Sequence, residues 1–347
     1  MKNGRLSFNG IKDVRTLLKR VSSGASMNTT ELLDVCAILE GAGKSITFDK
    51  NSIDDNNKDS LSGYFSALDE DRELLNEIRR CIVSVDEIAD DASPALRDIR
   101  RRMNGIGEKI RSQLNSILNS ASMANILQDH VIAMRGDHFC IPVKSEHQSK
   151  VSGVICDRSA TGATVFIEPS AVLNLNNERT ALRMDEEKEI DTILARLSSL
   201  VNESSGIIAE DYKTIIFLDF VFSKAVYAEK LNASEPVFNT DRRIRIRKAR
   251  HPLLDQKKAV PVDIRLGEDF DQLIITGPNT GGKTVSLKTA GLLQMMGQAG
   301  LHIPAADRSE LGVFTEIYAD IGDEQSIEQS LSTFSSHMNN IVRIVNG

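Results

Sequence analysis

The sequence predicts a multi-domain chain of the α and α/β classes, built on long helices with a small β insertion between two of them. Three observations carry this reading. From Leu96 to Ala121 apolar residues recur every three or four positions, the period of one helix face. Between residues 131 and 168 the period shortens toward two, as in a strand. Near the C-terminal end an apolar run read as a short strand, Leu273-Ile274-Ile275-Thr276, leads into the glycine-rich Gly277–Thr284 and then another helical pattern.

Each element follows from local signals. Ile11, Val14, Leu17 and Leu18 predict one helix; Leu32, Leu33, Val35, Cys36 and Leu39 predict a second, with Asn28, Thr29 and Thr30 ahead of Glu31 as capping residues. The polar stretch 50–60 reads as a loop, and a further helix is expected over about 70–90. Ser93-Pro94 opens a long element, since Ser caps and Pro fits the first helical position. Its apolar stripe (Leu96, Ile99, Met103, Ile106, Ile110, Leu114, Ile117, Ala121) predicts about 40 helical residues, with Arg97, Arg100, Arg101, Lys109 and Arg111 opposite, read as a solvated face with a polyanion contact as the alternative. "HFCIPVK", "VSGVICD" and "ATVFIEP" are three β-like runs. After Pro169 the helical period resumes from Val172 to Leu200, so the β module sits between two long helices, like the tip of an antiparallel arm. A third helix over about 205–232 is apolar enough to be buried. "RRIRIRKARHPLL" alternates Ile244 and Ile246 with charge, as a charge-guarded edge strand does.

Gly277-Pro278-Asn279-Thr280-Gly281-Gly282-Lys283-Thr284 matches GxxxxGK[ST]. Its glycines let the backbone curl so that N–H groups face phosphate oxygens. Lys283 is placed to reach the outer phosphates, and the Thr284 hydroxyl to ligate Mg²⁺. Hydrolysis needs a magnesium carboxylate as well, normally at the end of a second apolar strand. The downstream candidate, Val313–Asp320, is interrupted by Glu316, so Asp320 is a poor candidate.

Composition narrows the classes. The chain has 347 residues, enough for two or three domains, with 41% hydrophobic and 26% charged residues, 5% aromatic and no Trp, a balance that favours long helices over a β-sandwich. A net charge of −7 gives no general pull toward nucleic acid, so such contacts fall to local bases. In the β insertion these are Lys144, Lys150 and Arg158, offset by Glu146, Asp157 and Glu168. Cys36, Cys81, Cys140 and Cys156 are too far apart in sequence for a zinc or CxxC motif. Neither an apolar leader nor a run of 18 apolar residues occurs, and the expectation is a cytoplasmic protein with no membrane partner.

"LIITGPNTGGKT", "HIPA" (His302–Ala305), "STFSSHM" (Ser332–Met338) and "ARHPLL" (Ala249–Leu254) together resemble the ATPase region of the MutS mismatch-repair family. "IPVKSEHQSKVSGVICDRSATGATVFIEP" followed by "LNNE" resembles its second bacterial paralogue, MutS-II. The resemblance implies a long-helix core at 1–92, and lever helices at 93–235 with a reduced clamp-like insertion at 131–168. It also implies the first part of an ABC-like P-loop NTPase domain at 236–347. By the same resemblance, ATP and Mg²⁺ bind at Gly277–Thr284, the protein is a homodimer, and Ser332 and Thr333 approach the nucleotide of the other subunit.

For full-length members the resemblance implies an ATPase switch on DNA or ribosomal RNA. It acts in suppression of homologous recombination and in binding and splitting collided ribosomes, with endonuclease activity in a C-terminal Smr domain. A fragment cut at both ends is expected, with the magnesium carboxylate beyond Gly347. Two other readings remain: a mismatch-repair type of DNA damage sensor, disfavoured because no Phe-x-Glu wedge domain precedes the core, and a non-hydrolysing helical dimerisation scaffold.

Overall fold

Capping chemistry sets where the first helices begin. In this computed structural model, which describes residues 6–52, 60–278, 281–320, 338 and 341–345, α1 spans Arg15–Ser22 and α2 spans Thr29–Ser52. Ahead of α2, Asn28 Oδ1 accepts from Glu31 N (2.9 Å) while Glu31 Oε2 accepts from Asn28 N (3.0 Å). This reciprocal pair satisfies two N–H groups that the helix start cannot. α2 runs on into the stretch read as a loop, through Lys50 to Ser52. The chain forms two compact units, Met1–Leu218 and Asp219–Gly347.

In the first unit α3 (Ser62–Ser66) and α4 (Arg72–Cys81) follow. The helix expected over 70–90 stops at Cys81. Ile82–Ser84 (β1) and Glu87–Ile88 (β2) form a short antiparallel hairpin instead. The β-branched pair Ile82-Val83 and the Val85-Asp86 turn favour extended chain over a further helical turn.

α5 spans Pro94–Leu118. Ser93 Oγ accepts from Leu96 N at 3.0 Å, and Pro94 occupies the first turn. The helix is 25 residues long, shorter than its apolar stripe implied. Serines at its end hydrogen-bond their own backbone and compete with the helix: Ser116 Oγ donates to Ser112 O at 3.1 Å and Ser120 Oγ to Ile117 O at 2.9 Å. α6 (Leu173–Glu203) returns antiparallel, seen in the ladder of cross-helix bonds: Ser93 to Glu189 at 2.7 Å, Arg100 to Glu186 at 2.7 Å, Arg102 to Glu178 at 3.7 Å. Arg100 is therefore not a solvated-face residue. It also donates to Ile88 O (2.7 Å) and Asp90 (2.6 Å), tying the β1–β2 hairpin to the arm.

Between these helices lie β3 (Ala133–Arg135), β4 (His138–Lys144), β5 (Gly153–Arg158) and β6 (Thr164–Pro169), ordered β3-β4-β6-β5 and antiparallel throughout. Ile141, Val143, Val165 and Ile167 from the sheet bury against Ile110, Leu114 and Leu118 of α5 and Leu182 of α6. One core thus joins the tip to the arm. Asn176, fully buried near the start of α6, supplies the polar tie. Its Oδ1 accepts from Phe139 N (3.2 Å), and its Nδ2 donates to Phe139 O (3.2 Å) and Glu168 Oε1 (2.8 Å).

α7 spans Ser205–Leu231. Ile215 and Leu218 are buried as expected, but Ile216, Phe217 and Phe220 are exposed, so only one stripe of this apolar helix is covered. No described helix is long and apolar enough to cross a membrane. In the second unit β7 (Val237–Asn239), β8 (Ile244–Ala249), β9 (Val262–Leu266), α8 (Lys283–Gln298) and β10 (Glu310–Gly312) build a four-stranded sheet, order β7-β10-β8-β9, with α8 packed on it. β8 is interior, paired to both β10 and β9, and is not the edge strand its charge pattern predicted. Ile246 is buried, while Arg245 lies 3.9 Å from Glu268 and Arg247 donates to Asp307 O, so the alternating charges serve the sheet's wet face.

Asp211 on α7 is a buried carboxylate in the first unit. Its Oδ1 accepts from Asp69 N at 3.1 Å, while Oδ2 is buried without a hydrogen-bond partner. Burial pushes its pKa from 3.8 up to about 6, the Asp69 N–H bond opposes this, and the Asp69 and Asp71 carboxylates add to it. Because the folded value lies above the unfolded one, the folded state holds the extra proton. Asp211's contribution to stability is therefore fully present below about pH 4 and is lost as pH rises through 6. Asp211→Asn keeps the acceptor and removes the charge. It is expected to raise unfolding free energy at pH 7.5 by on the order of 2 kcal/mol, and far less at pH 4.5. Urea melts at both pH values check this, and an equal gain at both contradicts it.

Candidate functional site

The glycine-rich loop is positioned by the far half of α8. Thr289, Leu293, Gln294, Met296 and Gly297 form its buried face. Gln294 Nε2 donates to Gly312 O at 2.7 Å, and Gln298 both donates to Phe314 O (2.8 Å) and accepts from Phe314 N (3.1 Å). Gly297 approaches Leu311 so closely that a Cβ would collide with it. The helix is therefore clasped to β10 at its C-terminal end, and its N-terminus projects into solvent.

At that N-terminus Ser286 N donates to Gly282 O (2.8 Å), closing the first turn. The first N–H groups of a helix have no intrahelical carbonyl to bond, and the positions four residues before Lys283 and Thr284 lie outside the described residues. Among the described residues no side chain caps this end. Gly282 (φ 78°) and Gly277 (φ 138°) occupy backbone conformations that other residues rarely adopt, and Gly281 N donates to Pro278 O at 3.0 Å, tightening the turn. Asn279 and Thr280 lie outside the described residues. Lys283 is partly exposed, with no carboxylate within ion-pair distance among the described residues, and Thr284 is exposed. A positive helix end without a described cap, two left-handed glycines and a lysine with no ion-pair partner among the described residues suit a phosphate group.

Other expectations around the loop fare differently. Leu273–Thr276 is not a strand. It is exposed, Ile274 by 82%, and pairs with no described strand. A strand of this composition forms only when neighbours cover both its edges and faces, and the β7-β10-β8-β9 sheet does not reach it. Val313–Asp320 is likewise non-strand beyond the three residues of β10, so no carboxylate is presented there at a strand end. Among the described residues no group of three acidic, His or Cys side chains could hold a metal ion. Ser332 and Thr333 lie outside the described residues.

The β insertion brings two of its three bases, Lys144 and Arg158, to one end, while Lys150 leads toward Ser152, whose carbonyl accepts from Ser170 N beyond the other end of β6. Lys144 closes β4 opposite Thr164, and Arg158 closes β5 opposite Val165, adjacent positions on β6. Arg158 Nη2 donates to Gln148 Oε1 (3.1 Å) in the 3-10 turn Ser145–Lys150, which carries Lys150. Two of the acids that offset them in sequence are engaged elsewhere. Asp157 pairs with Arg135 (3.1 Å), and Glu168 is buried against Asn176 and His138 (Nδ1 at 2.9 Å). Glu146 alone of the three is exposed in that turn, 3.6 Å from His147. The cysteines are all free, and burial pushes the Cys36 thiol up to about 11 and Cys140 higher still.

Reading by period missed Asn176, Gln294 and Gln298. Asn176 and Gln294 are polar where the pattern demands an apolar residue, and that violation was the available signal; Gln298 is exposed and gave none.

The comparisons with known proteins agree with this architecture. Residues 273–347 match MutS domain V. The chain is 54% identical over 344 residues to a protein named Endonuclease MutS2 from Agathobacter rectalis, covering 99% of this chain and 43% of that protein. Its counterpart in Lachnoclostridium phytofermentans is 50% identical (99% and 44%), and that of a Geobacillus species 46% identical (99% and 44%). The arm with its β tip and the loop-bearing α/β unit thus belong to a MutS-family sequence. Within that family the chain is of the MutS2 type, and it spans less than half the length of the curated relatives it matches.

Gly282 and Gly281 provide a paired test of the loop. A Cβ on Gly282 meets open space but forces a strained φ, whereas one on Gly281 makes only ordinary 3.7 Å contacts with Pro278. Gly282→Ala is expected to cost about 1 kcal/mol of stability and Gly281→Ala a few tenths, as read by urea unfolding. Equal costs contradict the geometry.

Proposed function

We propose that this chain is the nucleotide-holding part of an ATP-dependent, homodimeric MutS2-type protein that acts on nucleic acid. The observation that carries it is the uncapped N-terminus of α8 behind Gly277 and Gly282. The N–H groups of Lys283, Thr284 and Val285, with the positive-φ glycines Gly277 and Gly282, cradle the phosphates of ATP. Lys283 reaches the outer phosphates, and Thr284 supplies one hydroxyl ligand to Mg²⁺. Mg²⁺ supplies charge neutralisation across the phosphates when bound. Ser332 and Thr333 are assigned to the partner's nucleotide.

In the whole protein we assign the arm and its tip to DNA or ribosomal RNA. The roles that go with this are suppression of homologous recombination and the splitting of stalled, collided ribosomes. The endonuclease of the relatives' name is assigned to an Smr-type domain. Support comes from the similarity over 99% of the chain and from the bases of the tip, with Lys144 and Arg158 at one end of its sheet and Lys150 in the adjoining turn.

A second reading is favoured by a separate observation. Among the described residues no carboxylate is set at a strand end beside the loop. Residues 1–347 alone then bind nucleotide without efficient turnover, as a helical dimerisation scaffold.

Two measurements decide these points. Titration of a fluorescent ATP analogue with Mg²⁺ is expected to show saturable binding that Lys283→Ala abolishes; unchanged binding in the variant removes the loop from the site. Neutralising Lys144, Lys150 and Arg158 together is expected to lower the slope of log affinity against log salt for a duplex by about 2–3, roughly one for each phosphate no longer neutralised. An unaltered slope leaves these bases as surface charge.

A further inference from the structure

A second polar cleft lies in the loop-bearing unit, away from the residues assigned to nucleotide. It is about 240 Å³, walled by Leu231, Pro304 and Ala305, with Asn232, Lys248, Arg250 and Gln256 as its polar lining. Its construction follows from the sheet. β8 breaks register with β9 between Ile246 and Ala249, and Lys248 takes a left-handed φ of 51° at the break. A bulge of this kind redirects side chains. Lys248 N donates to Asp263 Oδ1 at 2.7 Å, fixing the turn. Arg250 N donates to Pro304 O (2.9 Å) and Ala306 N to Arg247 O (2.7 Å), which set the 304–306 wall against the strand.

Two polar atoms are left over. Arg250 Nε is buried with no acceptor. Gln256 Nε2 donates to His251 O (3.0 Å) and Leu254 O (2.9 Å), so its amide orientation is set and its Oε1 is the atom left buried without a donor. Neither Lys248 nor Arg250 has a carboxylate within ion-pair distance among the described residues. Burying an orphan donor and an orphan acceptor in one cleft costs on the order of 1–3 kcal/mol each unless something joins them.

We propose that this cleft binds a small phosphorylated ligand that also presents a hydrogen-bond donor. The two cations demand an anion, and an Arg fork with a Lys point charge suits phosphate oxygens. The Gln256 Oε1 acceptor demands an O–H or N–H beside that anion. Hydrogenphosphate meets both conditions through its single P–OH, and a sugar phosphate through a neighbouring hydroxyl. Sulfate has the same size and charge and no donor. The volume lies below that of drug-sized pockets, roughly 300–1,000 Å³, and leaves room for a phosphate with a small organic body.

The test uses the full chain carrying Lys283→Ala, so that the glycine-rich loop contributes least, with calorimetric titration of phosphate, ribose 5-phosphate and sulfate. Phosphate is expected to bind, sulfate roughly tenfold more weakly, one hydrogen bond's worth. Tighter binding of ribose 5-phosphate than of phosphate assigns the cleft to an ester; the reverse assigns it to the free ion. Lys248→Gln, on an exposed side chain, is expected to weaken phosphate at least tenfold, and Arg250→Lys to reduce the preference over sulfate least. Three results overturn the proposal: no heat with any of the anions, leaving the cleft to water; equal binding of sulfate; or phosphate binding that Lys248→Gln leaves intact.

Discussion

The amide of Asn176 is the constraint on which the first unit turns. It is fully buried, and a buried amide must find partners or cost several kcal/mol. Both main-chain groups of Phe139 and the carboxylate of Glu168 meet it. Those two residues sit on neighbouring strands, β4 and β6, while Asn176 sits on the first turn of α6. One side chain therefore sets the angle at which the sheet leaves the helix pair. Glu168 in turn tolerates its burial because Asn176 and His138 flank it. The apolar core around Ile141 and Leu114 supplies the adhesion, and this polar tie supplies the register.

Much of this was legible in the sequence, because period and capping are local. The Asn28–Glu31 pair, the Ser93-Pro94 start of α5, the three main β runs and the span of α6 all follow from residues within one or two turns of each other. What failed was decided at longer range. The stripe from Leu96 to Ala121 continues past the end of α5 because Met123 and Leu127 still bury in the same core after the helix has stopped. β8 has the charge pattern of an edge and is interior, since a sheet with one wet face needs only alternate residues to be apolar.

The glycine-rich loop shows the same division. Its own conformation, with Gly277 and Gly282 left-handed and the helix uncapped, was implied by residue type alone. The strand expected before it was not formed, because a strand exists only with its neighbours, and no described segment pairs with Leu273–Thr276. The clasp that aims the helix, Gln294 and Gln298 against Gly312 and Phe314, was invisible because Gln294 is polar on a buried face and Gln298 is exposed, where any polar residue fits the pattern.

The antiparallel pairing of α5 and α6 also has a mechanical consequence. At 1.5 Å per residue, the 25 residues of α5 extend roughly 37 Å. A rotation of about 5° at the Ser93 end, where Arg100 couples the hairpin to both helices, displaces the opposite end by roughly 3 Å. Because the sheet shares one close-packed core with that end, it moves as a body and does not absorb the strain. The pair acts as a displacement amplifier, with its gain set by helix length and its stiffness by the ladder from Ser93–Glu189 to Arg102–Glu178.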